Sequence, residues 1–277
     1  MSFIVQFPSV KTLVLAKISY DLCTNAYSLY KNTNLKESLE EQTPNESKIL
    51  EKLKPCLVQS GIRTDLKIKE SITNKICAAG GNSPISQNAT IHTSANFHQM
   101  DPKASFFVLK HEIAHIKHND AIAILALHFI LMLGNLVMIS TIPESRVARI
   151  ITLWVTFPFL RGIVKNGYRY FREGKADDFA IKNSSIEELQ GGRRFFKAMQ
   201  QMNLEAHKKN PITASPLGEN RLDLAHPSLQ SRIQKIERVL KRENVTIDEN
   251  KEQEKIANLK GFMLVNETLQ NLQNKLS

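Results

Sequence analysis

The sequence predicts a mainly α fold (α+β) with a small β element and a central transmembrane helical hairpin. Three observations predict it. Residues 101–117 combine a helix-start signal with apolar residues at helical spacing. Residues 121–142 and 150–164 are long apolar runs, and the glycines and short alternating segments typical of strands gather in 55–98. With 277 residues, 42% of them hydrophobic, the chain has ample material for a core.

Taken in order, residues 1–30 mix apolar side chains with Lys11, Lys17 and Asp21, the pattern of an amphipathic helix, and 31–54 turn charged and polar like a connector. The start lacks a basic segment leading into an uninterrupted apolar stretch, so no cleaved signal peptide is read. In 55–98, Gly61, Gly80, Gly81 and Pro84 punctuate short runs, and Ala89-Thr-Ile-His-Thr alternates as a strand does. His92 and His98 fall in this part as structural residues.

Asp101-Pro102 starts the next helix: the aspartate caps free amides and the proline stands where its missing N–H is no loss. Phe106, Leu109, Ile113 and Ile116 share a core-facing stripe, while His111 and His115 look elsewhere. Residues 121–142 carry no charge and reach about 33 Å as a helix, enough to span a bilayer. Residues 150–164 form a shorter run with Pro158 and Arg161, and Pro143-Glu-Ser-Arg is the turn between the two. Lys103, Lys110 and Lys117 precede the pair, and Lys165, Arg169, Arg172 and Lys175 follow it, against Arg146 and Arg149 in the turn. That bias puts both ends of the hairpin on the cytoplasmic side of an integral membrane protein.

Ser185-Ile-Glu-Glu is a capping-box start for a helix that must tolerate or end near Gly191-Gly192. Residues 208–227 read as a loop, 228–242 as a helix, and the polar tail after Asn244 as a further helix. The chain divides into an N-terminal helical and connector region (1–54), a first part of the main domain with the helix that starts at Asp101-Pro102 (55–120), the hairpin (121–164), a second part of that domain (165–243) and a polar C-terminal tail (244–277).

The formal charge of +10 suits nucleic acid, an anionic membrane face or a basic surface. Lysines spread along the chain without a recognition module argue against nucleic acid, and the apolar runs make a lipid bilayer the better partner. Cys23, Cys56 and Cys77 are odd in number, widely separated and not in paired-ligand spacing, so neither a disulfide framework nor a thiolate zinc site is indicated and a reducing compartment is expected.

The chemistry lies in His111-Glu112-Ile113-Ala114-His115. Four residues make about one helical turn, so both imidazoles project from one face and can close on a single zinc ion. Glu112 lies on the flank of that face, placed to act on a water rather than on the metal. A catalytic zinc needs a third protein ligand and one open position. Glu173 is the best candidate, in Arg172-Glu-Gly-Lys-Ala-Asp-Asp on a helix entered directly from the second apolar run. Asp177, one turn further, can accept the N–H of a ligating imidazole and fix its tautomer. His118 would close the position that water needs, so it is read as interfacial, and Asp120 as ending the polar part of the helix at the membrane. His128 is read as packed between helices and Trp154 as an interfacial anchor.

The order of these segments resembles the HtpX and CAAX-prenyl-protease family of membrane zinc metallopeptidases. His-Glu-Ile-Ala-His-Ile-Lys-His-Asn-Asp comes first, then two apolar runs, then Arg-Glu-Gly-Lys-Ala-Asp-Asp-Phe-Ala, then His226-Pro227 with Arg232; the likeness covers roughly residues 85–242. The resemblance implies a zincin-like metallopeptidase domain of the gluzincin type, with one zinc per chain on His111, His115 and Glu173. It implies Glu112 as general base and then proton donor, Asp177 orienting a ligand, and a protein or peptide substrate. His226 matches a family position near the scissile carbonyl, which implies a part in stabilising the oxyanion. Two departures stand out: Gly174 follows the glutamate where the family has a bulky residue, and the apolar N-terminal hairpin typical of HtpX is lacking. Two other readings remain: a soluble zinc peptidase whose apolar helices are buried, and a catalytically silent zinc-binding membrane adaptor, which would leave Glu112 without a task.

Overall fold

The computed structural model describes residues 20, 44–59, 61, 66–71, 78–82, 89–94, 97–141, 151, 155–221 and 223–276, some of them by backbone alone. The elements are α1 (Pro44–Gln59), β1 (Lys67–Ser71), β2 (Ala78–Asn82), β3 (Ala89–Ser94), α2 (Pro102–Lys117), α3 (Asp120–Thr141), α4 (Phe157–Lys182), α5 (Ile186–Lys209), α6 (Leu229–Arg242) and α7 (Glu249–Leu276). The described residues are thus mainly helical with one small sheet, as expected. Cys23, Cys77, Trp154 and the 143–146 turn lie outside them.

The core is organised around α2. Asp101 caps it by accepting the N–H of Lys103 at 3.0 Å, with Pro102 in the first turn. Leu109, Ile113 and Ile116 are buried as the periodicity predicts, with Phe106 packed at the edge of the core. The stripe is wider than the sequence suggested. Ala104, Phe107, Val108, Lys110, His111 and Glu112 are buried too, because the sheet, α4 and α5 all pack against α2. A helix enclosed on several sides sinks its polar residues as well, and these then need partners.

The three strands form a mixed sheet in the order β1-β3-β2, with β1 parallel to β3 and β2 antiparallel to it. Lys67 pairs with Thr90 and Ala78 with Thr93. Gly80 and Gly81 lie inside the edge strand β2 rather than bounding it. Helix α1 runs through Pro55 to Gln59, past the point where the sequence suggested strands begin.

Helix α5 starts with the predicted capping box, Ser185 accepting from the N–H of Glu188 and Glu188 accepting from that of Ser185. It does not end at Gly191-Gly192. A Cβ at Gly191 would stand 2.4 Å from backbone atoms of Lys103 and Ala104, and one at Gly192 2.5 Å from the Phe107 ring. The glycines are where α5 meets α2 at close quarters, an approach no larger residue allows. The C-terminal helix also belongs to the core: Ile256, Leu259 and Met263 are buried, and Arg194 joins Glu252 of α7 at 2.9 Å to the cap residue Asp101 at 2.7 Å.

Three cations that the topology argument counted are occupied within the fold: Lys103 pairs with Glu187, Lys110 with Glu188 and Arg172 with Asp120. Among the described residues no helix is long and apolar enough to cross a membrane. Several residues of the first run are described by backbone alone, and residues 142–150 and 152–154 lie outside the described residues.

Candidate metal centre

Helix α2 delivers His111 and His115 from successive turns, and α4, packed across it, delivers Glu173. The two Nε2 atoms lie 3.1 Å apart. Glu173 Oε2 is 3.1 Å from Nε2 of His111, and Oε1 is 3.4 Å from that of His115. These are the residues, among those described, whose ligand atoms gather closely enough to hold a metal ion.

The far side of each ring is tied down, which decides what the near side offers. His111 Nδ1 donates to Asp177 Oδ1 at 3.0 Å, and His115 Nδ1 donates to Asp120 Oδ2 at 2.7 Å. With both Nδ1 atoms engaged as donors, each Nε2 turns a lone pair toward the other and toward a carboxylate. Three acceptors meeting at a point call for positive charge between them, which a metal ion or a proton can supply. A tetrahedral zinc with bonds of about 2.0–2.1 Å sets its ligand atoms about 3.3 Å apart; the observed spacings of 3.1, 3.1 and 3.4 Å fit it.

The electrostatics show the same demand for positive charge, met by a proton on His111 when no metal is bound. Burial disfavours a charged His111, yet hydrogen bonds to Asp177 and Glu173 outweigh it and push the pKa up to about 10. Burial and the charge on His111 hold His115 below the usual histidine range. Burial would raise the carboxyl of Glu173, but hydrogen bonds from His111 and His226 hold it well below the usual carboxylate range. Arg232 does the same for buried Asp177, donating to it at 2.5 Å while its guanidinium stacks over the Phe196 ring at 4.1 Å. The site is an anionic cradle framed by buried, paired groups.

All six residues singled out from the sequence lie in or beside this centre. Glu112 is buried next to His111, and its charge is felt at His115. His226, in the loop before α6, brings Nε2 to 3.5 Å from Glu173 Oε1. Asp223 hydrogen-bonds its other nitrogen and, with Glu173, pushes its pKa up to about 9. His118 stays outside the cluster; its carbonyl accepts from Arg172. Asp120 is a correction. It holds His115 as Asp177 holds His111, and Arg172 in turn pairs with it. Its position five residues past His115, beyond the end of α2, hid this from helical periodicity: the chain turns at Asn119, with φ of 52°, and brings the carboxylate back.

The model of Peptidase family M48 matches residues 84–240, more than half of the chain. The chain belongs to peptidase family M48. This is the family of zinc metallopeptidases that includes HtpX and the CAAX proteases, and membership implies a metallopeptidase acting on protein or peptide substrates. Glu173 and His226 fall inside the M48 match, and α7 lies beyond it. No curated protein matches the chain.

Proposed function

We propose that this M48 member is a zinc-dependent endopeptidase that cleaves peptide bonds at the cytoplasmic surface of a membrane. The convergence of His111, His115 and Glu173, each imidazole locked with Nε2 inward, carries the reading. Bound zinc would lower the pKa of a water toward about 7 and polarise the scissile carbonyl. The remaining work falls to the chain. Glu112 takes the proton of the attacking water and returns it to the leaving amine. Asp177 and Asp120 keep the imidazoles oriented. His226 turns Nε2 to the carbonyl oxygen as negative charge develops there.

The membrane part is supported by the outer faces of α3 and α4. Phe129, Ile130 and Leu133 on one, and Phe159, Ile163 and Val164 on the other, are exposed. Large apolar side chains exposed on two helices in this way suit contact with lipid or protein. The second reading is a soluble peptidase in which these apolar faces are covered by other protein. Extraction of membranes with alkaline carbonate separates them: the spanning protein stays in the pellet, a soluble or peripheral one is released.

The purified chain should cleave casein in the presence of zinc, stop on chelation and recover on zinc return. Glu112→Gln should keep its zinc and lose cleavage by at least about a hundredfold. Undiminished proteolysis in that variant would remove Glu112 from the mechanism.

A further inference from the structure

The loop between α5 and α6 holds His226 at the metal centre, although the histidine side chain is 43% exposed. Packing therefore does not fix this ring. Asp223 does: Nδ1 of His226 donates to its two carboxylate oxygens at 2.7 and 2.8 Å. The same carboxylate accepts the backbone N–H groups of Ala225 and His226, each at 3.2 Å, and so closes a turn on itself. The turn is anchored in its loop. Asp223 N donates to the Asn220 carbonyl at 3.3 Å, Asn220 forms a β-bridge with Ala214, and Glu219 accepts the first free amides of α6 from Leu229 and Gln230. A rigid carboxylate on one edge of an otherwise half-exposed ring leaves a single nitrogen, Nε2, directed at Glu173.

We infer that Asp223 is a positioning residue, holding His226 by Nδ1 so that Nε2 is presented to the carbonyl oxygen of a peptide bound at the metal centre. The inference deepens the peptidase reading and rests on it. No covalent step is involved. The hydrogen bond from Nε2 strengthens as the oxygen gains charge, and a ring free to swing into solvent forfeits that gain.

A double-mutant cycle on a fluorogenic peptide tests it. His226→Ala should lower kcat by roughly a hundredfold or more. Asp223→Ala should lower it about tenfold to a hundredfold with KM and zinc content unchanged, and the double variant should be no slower than His226→Ala. Asp223→Asn, whose amide oxygen still accepts from Nδ1, should recover most of the rate. Independently of turnover, Asp223→Ala should weaken binding of a phosphinic peptide, which mimics the tetrahedral oxyanion, by about tenfold. In the unmutated chain, nitrogen-15 NMR should find Nδ1 of His226 protonated, a readout that needs no variant to fold. Full additivity of the two alanine substitutions, a wild-type kcat in Asp223→Ala beside an impaired His226→Ala, or an unprotonated Nδ1 would each overturn the assignment of Asp223. A fully active His226→Ala would instead overturn the role of the histidine itself.

Discussion

Glycine-to-alanine substitutions at two helical positions should change stability in opposite directions. In the middle of a helix alanine is favoured over glycine by about 0.8–1 kcal/mol. At Gly174 the added methyl meets nothing within 4 Å, so the full gain should appear. At Gly191 it would lie 2.4 Å from Lys103 C and Ala104 N, about 1 Å inside normal contact. Those atoms are backbone in the first turn of α2, so no rotamer change relieves the overlap and α5 must retreat. Overpacking of this kind costs about 1–3 kcal/mol, and the rigidity of the obstacle argues for the upper end. After the propensity gain, Gly191→Ala should lose about 2 kcal/mol. At about 2–4 °C per kcal/mol, that is a fall in Tm of about 4–8 °C, against a rise of about 2–4 °C for Gly174→Ala. Thermal unfolding followed by circular dichroism reads both. A Gly191→Ala protein melting at or above the wild-type temperature would refute the close approach of α2 and α5.

Other consequences follow from the same framework. Asp120→Ala removes the acceptor that orients His115 and should weaken zinc binding about 10–100-fold by competition with a chelating dye; unchanged affinity would return Asp120 to a purely structural place. Arg194→Ala leaves buried Glu252 with only the exposed Lys255 at 3.7 Å and uncouples α7 from the cap of α2. Breaking a buried pair costs about 3–5 kcal/mol, to be read from the denaturation midpoint. A loss within about 0.5 kcal/mol would mean that α7 is not part of the cooperative core.

What was legible in the sequence is what local spacing encodes. His111 and His115 share a face because they are one turn apart, and Glu173 and Asp177 repeat that relation on α4. The helix starts at Asp101 and Ser185 were readable because capping joins residues two or three apart. Asp120 and Asp223 were missed as site residues for the opposite reason: each reaches its histidine through a turn outside helical periodicity. Gly191-Gly192 looked like an interruption, since a sequence does not show which helix will press against it. The core membership of α7 was obscured by its charged neighbours, with Ile256, Leu259 and Met263 too sparse to stand out from a polar tail. Nor does the sequence show that Lys110 and Arg172, counted among the cations near the apolar runs, serve internal pairs.

The central claim is that the metal sits on three protein ligands and keeps a position open for chemistry. X-ray diffraction of zinc-loaded crystals across the zinc absorption edge tests it most directly. One zinc per chain should appear, bound by Nε2 of His111 and His115 at about 2.0–2.1 Å and by Glu173 at about 2.0–2.2 Å, with no fourth protein atom. Zinc placed elsewhere, or a site closed by Nε2 of His226 as a fourth ligand, would contradict it.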